Sequence, residues 1–193
     1  MPRLVTLVSC SILALACGVA AAAPVRYTLD PDHTFPSFEA DHMGLSFWRG
    51  KFNTSHGTLV LDREAGSGSV DVTVDLASID FGQEKLNQWA RGSEFFDTAA
   101  HPVATYHGRL AGFSHGAPTR VEGELTLNGS THPLTLAIDR FKCMPHPIEK
   151  RELCGADANG RFDRAAYGLT AGKDYGFDMG VALRIQVEAL RDK

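Results

Sequence analysis

Histidines are the residues of this chain best suited to acid–base or metal chemistry, and eight of them occur along it. None pairs with another at a spacing that would place two ligands on one face of a helix. His33 and His42 lie close in sequence to the acidic residues Asp32, Glu39 and Asp41, which is compatible with a metal site. Hydrogen-bonded surface histidines are the simpler reading, so we predict no metal site.

Signatures of catalysis and nucleotide binding are absent from the sequence. It contains no G-x-S-x-G, H-E-x-x-H or C-x-x-C motif, and neither of the glycine-rich phosphate loops. Ser, His and Asp all occur, but a linear sequence does not show that they meet in space. We predict a protein that is not an enzyme and needs no cofactor; the alternative is an unrecognised hydrolase or metal-dependent enzyme.

Net charge and composition indicate which classes of partner and which kind of protein to expect. The chain has 19 Lys and Arg against 23 Asp and Glu, a net charge of −4, and no dense basic run. A mildly acidic chain of this kind is a poor nucleic-acid binder, so we predict no nucleic-acid partner. Its 44% apolar content is typical of a globular protein, and 193 residues suit one domain.

The first 22 residues have the layout of a secretory signal peptide. Arg3 supplies the basic start, an apolar core follows, and Ala20-Ala21-Ala22 offers an exit for signal peptidase. A membrane anchor is the alternative, but a spanning helix needs roughly 20 consecutive apolar residues and this core is shorter. Lipidation is a further alternative, because Leu7-Val8-Ser9-Cys10 resembles a lipobox. We predict residues 1–22 as a cleaved signal, residues 23–193 as the domain, and a periplasmic location.

Cysteine usage fits export. Cys10 and Cys17 would leave with the signal, so only Cys143 and Cys154 remain. An oxidising compartment favours a disulfide between them. The alternative is a metal site with His146, which would lack a fourth ligand and the usual C-x₂-C spacing. We predict the disulfide.

The elements that would position these residues are mostly strands. Alternation of apolar and polar residues over two positions predicts strands in the segments 70–76, 121–127, 134–138 and 181–187. Less regular strands fit the segments 25–30, 34–40, 50–61, 103–113 and 160–167. Asn128-Gly129 predicts a two-residue hairpin turn. Among these segments, only the sequence of Gln83–Arg91 predicts a helix, which we expect to end at Gly92.

About eight or nine strands in hairpin succession favour an all-β, antiparallel, up-and-down barrel, which removes sheet edges by closing. A barrel of eight strands can be filled by side chains or can hold one small ligand. A two-sheet sandwich with a solid core shows the same periodicity, so the sequence leaves both open. The segment Arg91–Asp97 adds two adjacent Phe residues, either as a plug in the core or as an element at the mouth of the barrel.

Many short segments, taken in order, resemble one family. The opening Tyr27–Thr34, the Phe95-Phe96-Asp97…His101-Pro102 block and the Phe162-Asp163-Arg164…Tyr167-Gly168 motif are similar to those of the YceI-like family, which comprises bacterial periplasmic, lipocalin-like proteins that bind polyisoprenoids. The resemblance extends over nearly all of residues 23–193. It implies an eight-stranded antiparallel lipocalin-like barrel with one short helix. The segment between Cys143 and Cys154 looks like a subgroup insertion, which we expect to be a disulfide-stapled loop.

The resemblance implies that the protein sequesters or carries a lipid. Its tunnel would take a long-chain isoprenoid or similar amphiphilic lipid, such as a polyprenyl phosphate or a quinone, by burying the tail. We expect head-group contacts from His33, His42 and Arg91, since a guanidinium suits phosphate. We expect tail contacts from Phe38, Phe47, Phe95, Phe96 and Phe162. We expect such a lipid-binding protein to be a monomer or a homodimer that contacts the membrane transiently. The remaining alternative is an interaction module with a solid core.

Overall fold

The computed structural model describes residues 23–193, in which eleven strands form one antiparallel sheet. The strands are β1 (Val25–Leu29), β2 (Phe35–His42), β3 (Ser46–Phe52), β4 (Ser55–Asp62), β5 (Ser67–Asp75), β6 (Ile79–Asp80), β7 (Val103–Ala111), β8 (Arg120–Leu127), β9 (Ser130–Pro145), β10 (Glu152–Asp163) and β11 (Gly180–Arg191). The helices are α1 (Glu84–Arg91) and three 3₁₀ turns at Leu76–Ser78, Arg164–Tyr167 and Lys173–Tyr175.

The sheet closes on itself as a barrel. Strand β1 pairs with β4 on one side and with β11 on the other, which completes the ring β1-β4-β5-β7-β8-β9-β10-β11. Strand β2 takes over from β1 along β11, and β3 pairs with β2, so eleven strands occupy eight positions. The predicted eight-stranded antiparallel barrel is confirmed, and the sandwich alternative is excluded.

The alternating residues of the strands divide between the two faces of the barrel wall. Val70, Val72 and Val74 of β5 point inward, as do Leu183 and Ile185 of β11. Successive side chains of a strand point to opposite faces, so the period of two in the sequence becomes an apolar interior. The predicted hairpin turn also forms, because Asn128 and Gly129 both have positive φ, 49° and 74°.

Other predicted boundaries needed correction. The strand expected at 50–61 is broken at Asn53 and Thr54, where the chain passes from β3 to β4. The strand expected at 160–167 ends at Asp163, whose carboxylate accepts a hydrogen bond from Ala165 N at 2.8 Å and caps the 3₁₀ turn. The helix forms where predicted, and the Gln83 side chain caps it by accepting from Leu86 N at 2.6 Å.

The disulfide is present, but its setting differs from the expectation. Cys143 and Cys154 are bonded to each other within the chain and lie directly opposite in strands β9 and β10. They therefore staple two strands of a long hairpin rather than a loop. Because both sulfurs are in the bond, the alternative metal site with His146 is excluded. The predicted signal, with Cys10 and Cys17, lies outside the described residues.

The barrel has two different ends. We call the end that carries α1, the Arg164–Tyr167 turn and the tip of the β2–β3 hairpin the helix end. The opposite end carries the β9–β10 hairpin, and we call it the disulfide end. Within the described range, no helix is long and apolar enough to cross a membrane.

Candidate functional site

A cavity of about 460 Å³ runs through the interior of the barrel. At the disulfide end its wall includes Leu110, Cys154 and Ala189, and at the helix end it includes Trp48 and Tyr175. The volume lies within the roughly 300–1,000 Å³ usual for ligand pockets. The cavity is thus a tunnel along the barrel, not a pocket at one edge of it.

The tunnel wall is apolar because its strands present aliphatic side chains inward. Tyr106 is the main polar side chain in the middle, and its hydroxyl donates to Leu134 O at 2.9 Å. Burial raises the pKa of Tyr106, which keeps it neutral. Thr34 also lines the tunnel, and its hydroxyl donates to Glu188 O at 3.2 Å, so the wall is an apolar surface in which both of these hydroxyls are already hydrogen-bonded.

A hydrogen-bond network crosslinks the strands at the disulfide end. The Tyr27 hydroxyl donates to Glu152 at 2.6 Å, and Arg63 donates to the same carboxylate at 2.6 Å. Burial, followed by the hydrogen bond to Glu152, raises the pKa of Tyr27 to about 12. For Glu152 burial acts in the opposite direction, but the hydrogen bonds from Tyr27 and Arg63 outweigh it and lower the pKa of the carboxyl. Glu152 stays ionised, and its hydrogen bonds tie β10 to β1 and to Arg63, which follows β4.

Aromatic rings crowd the helix end. Phe38 lies 5.8 Å from Phe52, Phe52 lies 6.0 Å from Phe96, and Phe96 lies 4.6 Å from Phe95, measured between ring centroids. Trp89 of α1 stacks on Phe95 at 4.9 Å. These contacts connect the helix to the tunnel wall.

The tunnel opens beside the β2–β3 hairpin. Asp41, Trp48, Tyr175 and Phe177 line it here, and Tyr175 is 78% exposed, so the cavity reaches solvent. Asp41 accepts a hydrogen bond from Asp178 N at 3.1 Å, which attaches the segment 172–178 to the hairpin. We call this opening the mouth.

One buried cation lines the tunnel. Among the described residues, Asp41 and Arg164 are the only charged side chains in its wall, and Arg164 is just 6% exposed. Its guanidinium donates to Leu169 O at 2.5 Å and to Ala171 O at 2.7 Å, and lies 5.7 Å from the Phe95 ring centroid. Burial lowers the pKa of Arg164, but an arginine remains charged at any physiological pH.

The predicted tail-contact residues divide between the tunnel and the outer surface. Phe38, Phe95, Phe96 and Phe162 line the tunnel. Phe47 lies on the outer face of β3 and is 56% exposed, because its neighbour Trp48 takes the inward position. Adjacent residues of a strand cannot both face inward.

The three predicted head-group residues do not come together. His42 stacks on Trp48 with ring centroids 4.4 Å apart and thus lies at the mouth. His33 lies outside the tunnel and hydrogen-bonds to Asp30 at 2.8 Å. Arg91 is held by Glu84 at 2.7 Å and is not part of the tunnel wall.

Two groups of residues within the described range have the side-chain types and spacing that could hold a metal ion. In the first, Cys143 and Cys154 lie near Glu152, but the sulfurs form the disulfide. The second joins Asp30, His33 and Glu188, where His33 is exposed and already paired with Asp30.

Sequence reasoning missed Arg164 and the aromatic residues Trp89 and Phe177 as parts of the site. Arg164 lies in the Phe162–Gly168 motif that resembles the YceI-like family, which could have drawn attention to it. Its sequence position after a strand does not show that its side chain turns inward. Trp89 looked like the apolar face of a helix, which it also is.

Comparison with known proteins shows which family this chain is similar to. A model of the YceI-like domain matches residues 27–189. The chain is 34% identical over 134 residues to a UPF0312 protein of Pectobacterium atrosepticum, covering 69% of each chain. It is 31% identical over 125 residues to Protein YceI of Escherichia coli O157:H7, covering 64% of this chain and 65% of the relative, which is just under two thirds of that protein's length.

Solved structures agree on the fold. BcnA of Burkholderia cenocepacia superposes with a TM-score of 0.65 at 20% identity, covering 83% of this chain and 98% of that one. A polyisoprenoid binding domain from Saccharophagus degradans, implicated in plant cell wall breakdown, gives a TM-score of 0.61 at 19% identity, covering 87% and 99%. The closed barrel and the match over residues 27–189 together show that this chain belongs to the YceI-like family.

Proposed function

We propose that this protein is an exported binding protein that holds a long-chain isoprenoid or similar amphiphilic lipid, such as a polyprenyl phosphate or a quinone, in its tunnel. The observation that carries the proposal is the tunnel itself, an apolar cavity of about 460 Å³ that reaches solvent beside the exposed Tyr175. Burial of an apolar tail stabilises a complex by roughly 25 cal/mol per Å². The name of the polyisoprenoid binding domain from Saccharophagus degradans, which shares the fold, supports the same ligand class.

The site suggests how such a lipid would lie. Its tail would follow the aliphatic wall toward Leu110 and Cys154, and its polar head would stay near the mouth, where Arg164, Asp41 and His42 supply the charged and polar groups. Arg164 suits a phosphate or a quinone carbonyl because a guanidinium keeps donors free after two carbonyl bonds. Neither end requires a catalytic group, so sequestration or carriage is the function proposed.

Export completes the proposal. Residues 1–22 have the composition of a cleaved signal, and the Cys143–Cys154 disulfide is the kind of bond that persists in an oxidising compartment. The periplasm, which lies beside lipid-rich membranes, would then be the place where the tunnel is loaded.

Tryptophan fluorescence provides a direct test. The chain has two tryptophans, Trp48 and Trp89, and both line the tunnel. A long-chain quinone added to delipidated protein should quench both, and native mass spectrometry should show one bound molecule per chain. Protein that binds neither a prenol nor a quinone would refute the proposal.

A further inference from the structure

Apolar side chains that face solvent are concentrated around the mouth. Met43, Leu45, Phe47 and Tyr175 are 50%, 78%, 56% and 78% exposed. Three of them lie in or beside the tip of the β2–β3 hairpin, and Tyr175 lies in the segment 172–178. We call these four residues the mouth patch.

The two parts of the mouth patch are joined to each other and to the tunnel. Asp178 N donates to Asp41, and the Phe177 ring lies 5.2 Å from His42 and 6.3 Å from Trp48. Trp48, Tyr175 and Phe177 also line the tunnel. The apolar surface therefore continues from the tunnel interior, across its opening, onto the outside of the protein.

The charges around the mouth patch are balanced. Arg49 is paired with Glu39 at 2.8 Å, and Arg161 with Asp178 at 3.3 Å. Lys173 is followed directly by Asp174, and the tunnel wall adds one charge of each sign, Asp41 and Arg164. Such a surface offers no net attraction to a strongly charged partner, so association here must come from burial of apolar side chains. Tyrosine is enriched at the level where a bilayer meets water, which suits Tyr175.

We propose that the mouth patch inserts into the interfacial layer of a lipid bilayer, so that a lipid tail passes between membrane and tunnel without crossing water. A protein seated on the patch would cover the opening, whereas a bilayer is also the source of the tail. The inference rests on the proposed lipid-binding function and adds the surface on which loading takes place.

Flotation with phosphatidylcholine vesicles, at low and at high salt, tests the surface. The wild-type protein should float with the vesicles equally under both conditions, because neutral lipid and apolar insertion are insensitive to screening. Leu45→Asp should weaken the partitioning about tenfold, because it puts a charge in place of an exposed aliphatic side chain that would insert into the bilayer. Ile148→Asp is the matched control, since Ile148 is 81% exposed at the disulfide end, and it should partition like wild type.

Binding of a short, water-soluble prenol separates this inference from the proposed function. Leu45→Asp should bind that prenol like wild type but should extract a long-chain quinone from vesicles about tenfold more slowly. The inference is overturned if wild type binds the prenol but does not float, if it floats only with anionic lipid, or if Leu45→Asp and Ile148→Asp weaken flotation equally. A wild-type dimer that Leu45→Asp converts to monomers would overturn it too, by assigning the patch to a second copy. A wild-type protein that binds no prenol would refute the function instead.

Discussion

Arg164 both stabilises a segment of the barrel and places a charge in the tunnel wall. Its guanidinium holds the carbonyls of Leu169 and Ala171 and packs over Phe95 while almost fully buried. A buried charge is tolerated only when hydrogen bonds replace its lost water. The same side chain therefore fixes the segment after the 3₁₀ turn and places a positive charge in the tunnel wall.

Replacing Arg164 should destabilise the fold by an amount that depends on the residue that replaces it. Arg164→Met should lower the free energy of unfolding by about 3 kcal/mol, because two charge-assisted hydrogen bonds are lost. Arg164→Lys should recover part of that loss, since it keeps the charge without the planar fork. Denaturant unfolding of the two variants measures the difference. Equal stability in wild type and Arg164→Met would show that the carbonyls find other partners.

His33 should make stability depend on pH. Its hydrogen bond to Asp30, together with the charge of that carboxylate, raises the pKa of His33 above the usual value of about 6.5. The contribution is complete below the unfolded-state pKa and is lost as pH rises through the higher folded-state pKa. His33→Gln should thus be less stable than wild type at pH 6 and closer to it at pH 8.5, as measured by urea unfolding. A stability gap that stays constant across this range would contradict the assignment.

At the residue scale, the sequence predicted residues of the tunnel wall better than it predicted residues of the mouth. Phe38, Phe95, Phe96 and Phe162 were found because large aromatic residues near strand ends tend to be buried. Phe47 does not line the tunnel. The sequence does not show which residues of β3 face inward, and a shift of one residue exchanges the two faces of a strand. Arg91 was drawn away by Glu84, a pairing that a linear sequence does not reveal.

Among the elements of residues 23–193, the β9–β10 hairpin is the one that a disulfide crosslinks. Its strands extend to Pro145 and from Glu152, and Cys143 pairs directly with Cys154. Cross-linking a loop of this length stabilises a fold by about 3 kcal/mol, mainly by restricting the unfolded chain. The hairpin tip, with the exposed Ile148, otherwise has few buried groups to hold it.

Reduction should therefore weaken the fold. A thiol reductant should lower the urea midpoint of wild type by an amount equivalent to about 3 kcal/mol. The double variant Cys143→Ala, Cys154→Ala should be as weak as reduced wild type and should not respond to reductant, which separates the bond from other effects of the reagent. An unchanged wild-type midpoint under fully reducing conditions would contradict the expected role of the bond.

Elements with strong local signals were predicted well, and those set by tertiary structure were not. The Asn128-Gly129 turn and α1 follow from backbone preferences that need no partner. The break at Asn53 and Thr54 exists because β3 pairs with β2 and β4 pairs with β1, so one run of residues serves two partners. Nothing in the local sequence encodes that division.

At the scale of the whole molecule, part of the barrel interior is a cavity instead of a packed core. Its buried residues form two clusters, one around Tyr27, Leu61 and Tyr106 and one under α1 around Phe96 and Tyr167, and the tunnel runs along both. Protein interiors are normally close-packed, and an apolar void loses the contacts that a filled core would make. A lipid that fills the tunnel should restore those contacts and stabilise the folded state.

Blocking the tunnel should uncouple the stability of the fold from the lipid. Val72 of β5 lines the tunnel, so Val72→Trp should occupy part of the space that a tail needs, whereas Thr73→Trp places the same side chain on the other face of the strand. A prenol or quinone at 100 times its Kd should stabilise wild type and Thr73→Trp by about 2.7 kcal/mol, because a ligand that binds only the folded state adds RT ln(1 + [L]/Kd). Val72→Trp should show little or no gain while remaining folded by circular dichroism. The measurement is the rise in Tm with added lipid, and a Val72→Trp protein that gains as much as wild type would place the lipid outside the barrel.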